Sequence, residues 1–193
     1  MTRKNPVDKG LAELEAARFS ERLWSKDPSL WKDDKEHAKL IRRALGWLDA
    51  PTTMAAGLGA VRVFADEAAA EGFRHAVVLG MGGSSLCVSV LRAAFSAVPG
   101  RPQLLTLDST HPEAVTALEG RLDLKKTLFI VASKSGSTIE PNSFFDYFWA
   151  AVSRQPGAKP GRQFLAITDP GTSLEKLSRE RGFRKTFLNP SDV

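Results

Sequence analysis

Apolar residues follow two rhythms along the chain, and the change falls at Gly72. Before it they recur at helical spacing. Leu11, Leu14, Ala17 and Phe19 predict a helix over about Lys9 to Glu21, and Leu40, Ile41, Ala44, Leu45 and Leu48 predict a second over about Asp34 to Leu48. Between them, Trp24 and Trp31 flank an Asp27-Pro28 break, which predicts a turn pinned to the core by its aromatics. Pro51 and Thr52-Thr53 mark a junction and cap before a third helix ending near Gly72.

After Gly72 the apolar residues gather into short continuous runs at His75 to Leu79, Gln103 to Leu107, Thr127 to Ala132, Gln163 to Ile167 and Lys185 to Leu188. Helical stretches separate them, at about Ser85 to Ala97, Pro112 to Gly120, Asn142 to Ser153 and Leu174 to Arg181. Continuously apolar strands alternating with helices predict a parallel sheet covered on both faces, an α/β fold of three layers. Pro99-Gly100, Pro156-Gly157 and Pro170-Gly171 punctuate the runs, and Thr110 with Glu113 and Thr172 with Glu175 read as capping boxes. The expected division is a helical extension or linker over 1–50 and one α/β domain over 51–193.

Composition narrows the class. With 193 residues, 42% hydrophobic and 25% charged, the chain is long enough for one well-cored globular domain. Its net charge of +5 is scattered and interleaved with acids, as in Lys32-Asp33-Asp34-Lys35-Glu36, which speaks against a nucleic-acid stripe. A single cysteine, Cys87, leaves no intrachain disulfide and no Cys-based metal site. His37, His75 and His111 are dispersed, so neither a metal cluster nor a histidine triad is expected. No run approaches the ~18 apolar residues that span a bilayer, and Met1 to Pro6 opens no apolar leader. A cytoplasmic protein without metal, membrane or nucleic-acid partner is the expectation.

The chemistry gathers in two loops. In an open α/β sheet, ligands bind outside the carboxyl ends of the strands where the strand order reverses. With order 2-1-3-4-5 that point lies between the first and third strands. The first strand ends in Gly80-Met81-Gly82-Gly83-Ser84-Ser85 and the third in Ser133-Lys134-Ser135-Gly136-Ser137-Thr138. Glycines bring backbone amides close to a ligand, and hydroxyls, an ammonium group and a helix N-terminus add donors, so the pair of loops predicts a phosphate site.

Simpler accounts exist for each loop alone. Ser84 would cap a helix after a tight turn, and Ser137 with Glu140 imitates a capping box, although Pro141 argues against a helix start there. Gly80-x-Gly82 with Asp108 also begins a dinucleotide fingerprint, but Ser85 stands at the third glycine and the second loop would have no purpose. No Gly-Lys-Ser/Thr follows the glycines, which excludes a P-loop.

At these loops the chain resembles the sugar isomerase (SIS) domain, most closely the first such domain of the glucose-6-phosphate isomerase family. The resemblance runs from about Ala50 to Val193 and includes Glu140 and the tail Asn189-Pro190-Ser191-Asp192-Val193. The region around Leu23 to Trp31 is similar to the connecting segment of bacterial transaldolase and glucose-6-phosphate isomerase fusions. The resemblance implies a five-stranded doubly wound sheet and interconversion of glucose 6-phosphate and fructose 6-phosphate without cofactor. Ser84, Ser133, Ser135 and Thr138 would hold the phosphate, with backbone amides of Gly83, Lys134, Gly136 and Ser137. Glu140 matches a family glutamate near the active site. Ser85, Cys87 and Gly136 depart from the family pattern. The family's arginine, catalytic glutamate base, ring-opening histidine and lysine belong to a second SIS domain that would follow this chain. The chain alone is therefore expected to bind without turnover, a non-catalytic SIS module that senses a sugar phosphate being the alternative, and a homodimer is the family's common assembly.

Overall fold

The helical rhythm of the first third resolves into shorter helices than its spacing predicts, and the breaks have local causes. The computed structural model describes residues 5–193, which divide into two compact units, 5–57 with Pro190–Val193 and Leu58–Asn189. In the first unit, α1 (Pro6–Ala16) is capped by Asn5, whose side chain accepts from the Val7 amide at 3.1 Å. It does not continue to Glu21, because Arg18 turns left-handed at φ 49° before α2 (Phe19–Trp24).

The Asp27-Pro28 turn is held by polar bonds. Asp27 accepts from the Arg22 guanidinium at 2.8 Å, the Ser29 amide at 2.9 Å and the Ser29 hydroxyl at 2.7 Å. These donors, the Arg22 side chain first, pull its carboxyl down to about 2. Trp24 is 64% exposed and Trp31 46%, so the expected aromatic anchoring is absent; Pro28 is the buried residue of the turn.

Asp34 caps α3 (Lys35–Arg43) through the His37 amide. That helix stops before Ala44, so Leu45 and Leu48, which the spacing placed on it, are buried in the following turn. There the Gly46 amide donates to the Asp192 carbonyl at 2.6 Å, an approach that no Cβ would permit. A short α4 (Ala50–Thr53) completes this unit's helices.

In the second unit, α5 (Leu58–Ala70) precedes the sheet. The apolar runs form β1 (His75–Gly80), β2 (Gln103–Leu107), β3 (Thr127–Ala132), β4 (Phe164–Thr168) and β5 (Lys185–Leu188). They pair in parallel in the order β2-β1-β3-β4-β5. Crossovers are α6 (Gly83–Ala94), α7 (Pro112–Glu119), α8 (Ile139–Ser153) and α9 (Ser173–Glu180). Right-handed connections in this order put α6 on one face and the other three on the opposite face.

The main core lies under α7, α8 and α9. Val77, Leu79, Phe129, Val131, Phe164 and Ala166 alternate toward it, and Phe129 stacks on Phe148 at 4.7 Å and on Phe164 at 5.0 Å. On the other face, α5 sets Phe64 edge-on to Phe187 at 5.6 Å, and α6 lies over β1 and β2. Between them Ile167 remains 37% exposed, so this face is less completely covered than the apolar runs predict.

Two local expectations change and a third holds. Gln163 precedes β4 because its amide donates to the Thr127 carbonyl at 2.8 Å and to that of Leu124, anchoring the strand entry. Thr110 does not cap α7; His111 is the cap, and its own amide donates to the Ser109 hydroxyl at 3.2 Å. Thr172 does cap α9, accepting from the Glu175 amide at 3.2 Å, while the Glu175 carboxylate reaches the Gly171 amide at 2.6 Å. Among the described residues no helix is long and apolar enough to cross a membrane.

Two measurements test these forces. Phe148 is fully buried, and Phe148→Ala should lower unfolding stability in urea by ~3–5 kcal/mol. Glu71 receives Arg184 through bonds of 2.8 and 2.6 Å, and chiefly for that reason its carboxyl titrates below the ordinary 4.5 although burial opposes the shift. A depressed carboxylate stabilises the fold above its unfolded pKa and loses that contribution as pH falls through the folded one. Thermal stability should therefore fall below about pH 4.5, with a shallower acid slope in Glu71→Gln.

Candidate functional site

β1 and β3 are adjacent, and β1 leads outward to β2 whereas β3 leads to β4, so the strand order reverses between them. Gly80 at the end of β1 is paired with Ala132 at the end of β3, which brings the two loops that follow side by side. Between them a cleft of about 530 Å³ is lined by Gly83, Ser84, Ser133, Lys134, Ser135 and Thr138 of the expected set, and by Met81, Ala132, Pro141 and Asp169. Gly136, Ser137 and Glu140 do not line it.

The first loop turns at Gly82, where φ 56° and ψ −125° suit only glycine. This residue, and not Ser84, is the N-cap of α6, so the Ser84 side chain makes no cap bond. Ser85 is buried and its hydroxyl donates to the Gly82 carbonyl at 3.0 Å, closing the turn from beneath. Among the described residues the Gly83 amide meets no protein acceptor.

The second loop is organised by its own hydroxyls. Ser133, only 3% exposed, accepts from the Gly136 amide at 3.1 Å and lies 3.0 Å from the Thr138 hydroxyl. Ser135 accepts from the Ser137 amide at 3.3 Å and lies 3.0 Å from the Ser137 hydroxyl. The amides of Gly136 and Ser137 are thus engaged inside the loop. Those of Lys134, Ser135 and Thr138 meet no protein acceptor among the described residues. If Ser133 donates its proton to Thr138, the Thr138 proton is directed elsewhere, and the cleft is beside it.

Thr138 is the N-cap of α8 but makes no side-chain cap bond, and Ser137 makes none either. The helix begins at Ile139, three residues before the expected start. Pro141 fits inside its first turn because the first amides of a helix have no intrahelical acceptor. Glu140 occupies that same turn, where a carboxylate is favoured by the helix dipole.

The loop is fastened to the next strand. The Ser133 amide donates to the Ile167 carbonyl at 3.1 Å, and the Lys134 carbonyl accepts from the Asp169 amide at 3.1 Å and the Thr168 hydroxyl at 3.3 Å. The Gly136 carbonyl accepts from the Ser173 hydroxyl at 2.8 Å. Gly136 has φ +68°, and a Cβ there would lie 2.8 Å from the Thr172 Cβ and 2.9 Å from the Leu174 nitrogen. Asp169 was not among the residues expected from sequence. The available signal was its place just beyond the fourth strand, level with the two loops.

A five-stranded doubly wound sheet with a glycine loop and a hydroxyl loop meeting at its switch point defines a fold of the sugar isomerase (SIS) type. No protein-family model matches the chain. A glucose-6-phosphate isomerase of Thermus thermophilus is 33% identical over 149 residues, 77% of this chain and 35% of that protein. The enzyme of Carboxydothermus hydrogenoformans is 32% identical over 133 residues, 64% of this chain and 28% of the other. Among solved structures, a hypothetical protein from Thermus thermophilus superposes with TM-score 0.75 at 30% identity, over 96% of this chain and 40% of that one. A glucose-6-phosphate isomerase from Chlamydia trachomatis shares the fold at TM-score 0.61 and 23% identity, over 89% of this chain and 31% of its own. The chain is similar to glucose-6-phosphate isomerases over part of its length, and it spans about a third of the length of the curated relatives it matches.

Gly136→Ala should strain the loop twice, through its backbone angle and its approach to Thr172. We expect a loss of at least ~1–3 kcal/mol in unfolding stability, read by thermal or urea melting. Gly83→Ala, with open space around its Cβ position, should cost less than a third as much by the rough scale of an ordinary glycine substitution.

Proposed function

We propose that this chain is the phosphosugar-binding part of a glucose-6-phosphate isomerase, holding glucose 6-phosphate and fructose 6-phosphate by their phosphate. The supporting observation is the meeting of Gly83-Ser84 with Ser133 to Thr138 in one cleft at the switch point. In this reading the phosphate takes donors from the hydroxyls of Ser84, Ser135 and Thr138 and from the exposed Lys134 ammonium. The unengaged amides of Gly83, Lys134 and Ser135 add to them. Ser133 acts mainly through its neighbours, positioning the Gly136 turn and the Thr138 hydroxyl.

Interconverting the two sugars moves a proton between adjacent carbons through an enediol and opens a ring, which takes a base and an acid. Among the described residues the cleft has one carboxylate, Asp169, and no histidine lines it; His75 starts β1 at the opposite end of the sheet and His111 lies outside the lining. Glu140 stands outside it as well. We therefore assign binding and orientation to this chain, with negligible isomerisation by it alone, and assign the chemistry to residues of a second SIS domain. A dimer of the longer protein is part of the same proposal.

Thr138→Val removes a hydroxyl while keeping the side-chain shape. It should weaken fructose 6-phosphate binding about tenfold in calorimetry, with the melting temperature nearly unchanged. Equal affinity in the variant would leave Thr138 a helix-capping position only. Fructose 6-phosphate and inorganic phosphate should raise the melting temperature of the unaltered chain and NAD should not; the reverse order would favour a dinucleotide site.

A further inference from the structure

Asp169 is the one carboxylate on the cleft wall among the described residues. A negative group beside a site made of donors is unfavourable for a bare anion, since like charges in a shared cleft repel. Yet this side chain is held there. Its own amide donates to the Lys134 carbonyl at 3.1 Å, and the Asn189 side-chain amide donates to its Oδ1 at 2.8 Å. Asn189 is fixed in turn by its backbone amide, which donates to the Thr168 carbonyl at 2.9 Å just beyond β5.

One bond to Oδ1 leaves an ionised carboxylate with most of its acceptor capacity, and it can only accept. The cleft thus offers unlike groups: Lys134, Ser84, Ser135 and Thr138 provide donors, and Asp169 provides acceptors. A ligand that satisfies both carries an anion at one end and hydroxyl groups at the other. We propose that Asp169, oriented by Asn189, is a specificity-determining residue that accepts hydrogen bonds from the hydroxyls of a phosphorylated polyol and turns its phosphate toward the Ser133 to Thr138 loop. This rests on the phosphosugar reading above and adds to it the means by which a sugar phosphate is preferred to phosphate alone.

The test compares fructose 6-phosphate with propyl phosphate, which has the same kind of anion and no hydroxyls, by titration calorimetry on the full 193-residue chain. The unaltered chain should prefer fructose 6-phosphate. Asp169→Asn keeps the shape and can still accept from Asn189, but it loses the charge and presents donors. It should weaken fructose 6-phosphate about tenfold or more while propyl phosphate binds as well or better. Asn189→Ala should produce the same selective loss to a smaller degree. Parallel weakening of both ligands would mark Asp169 as structural and overturn the inference, as would unchanged fructose 6-phosphate affinity in Asp169→Asn. If the unaltered chain binds both ligands equally, the phosphate reading stands and this inference falls; if it binds neither, both fall.

Discussion

The carbonyl of Lys134 accepts two hydrogen bonds from the end of β4, one from the Asp169 amide and one from the Thr168 hydroxyl, and the geometry of the site depends on that junction. With the Ser133 amide on the Ile167 carbonyl, it carries the β3–β4 pairing past the formal end of the strands. What the sequence presents as a hydroxyl-rich loop is thereby an extension of the sheet. The rigidity of a parallel sheet, with four strands packed against a phenylalanine core, is passed directly to the residues facing the cleft.

The same junction explains the tight tolerance at Gly136. Because the loop cannot move away from β4, its turn comes to rest against the start of α9, where Thr172 and Leu174 leave no room for a Cβ. A glycine at 136 is thus matched to the position of α9. Ser173 adds a bond to the Gly136 carbonyl, so one glycine links the hydroxyl-rich loop to the helix behind it.

Much of the sheet was legible because parallel strands are buried on both sides and read as continuous apolar runs. Three of the five runs match their strands end to end, β1 runs one residue further to Gly80, and β4 starts after Gln163, whose side chain takes a polar role. That the two loops meet at the switch point was legible because strand order and loop chemistry point to the same place. The first third was less so. Its helices end at Arg18 and Ala44 for conformational reasons that periodicity does not encode, and Trp24 and Trp31 face solvent where composition suggested burial. Asp169 is not legible in the sequence because a lone acid after a strand has no motif. Its meaning comes from Lys134 and Asn189, each distant in sequence.

The paired hydroxyls of the second loop also bear on how a ligand is received. Ser133 with Thr138 and Ser135 with Ser137 already restrict one another's rotamers, so much of the entropy lost in ordering these side chains belongs to folding and not to the encounter. On the proposed phosphate reading, an arriving anion would exchange one set of hydrogen bonds for another. Its association would accordingly draw more on released water and on charge than on the heat of newly formed hydroxyl contacts.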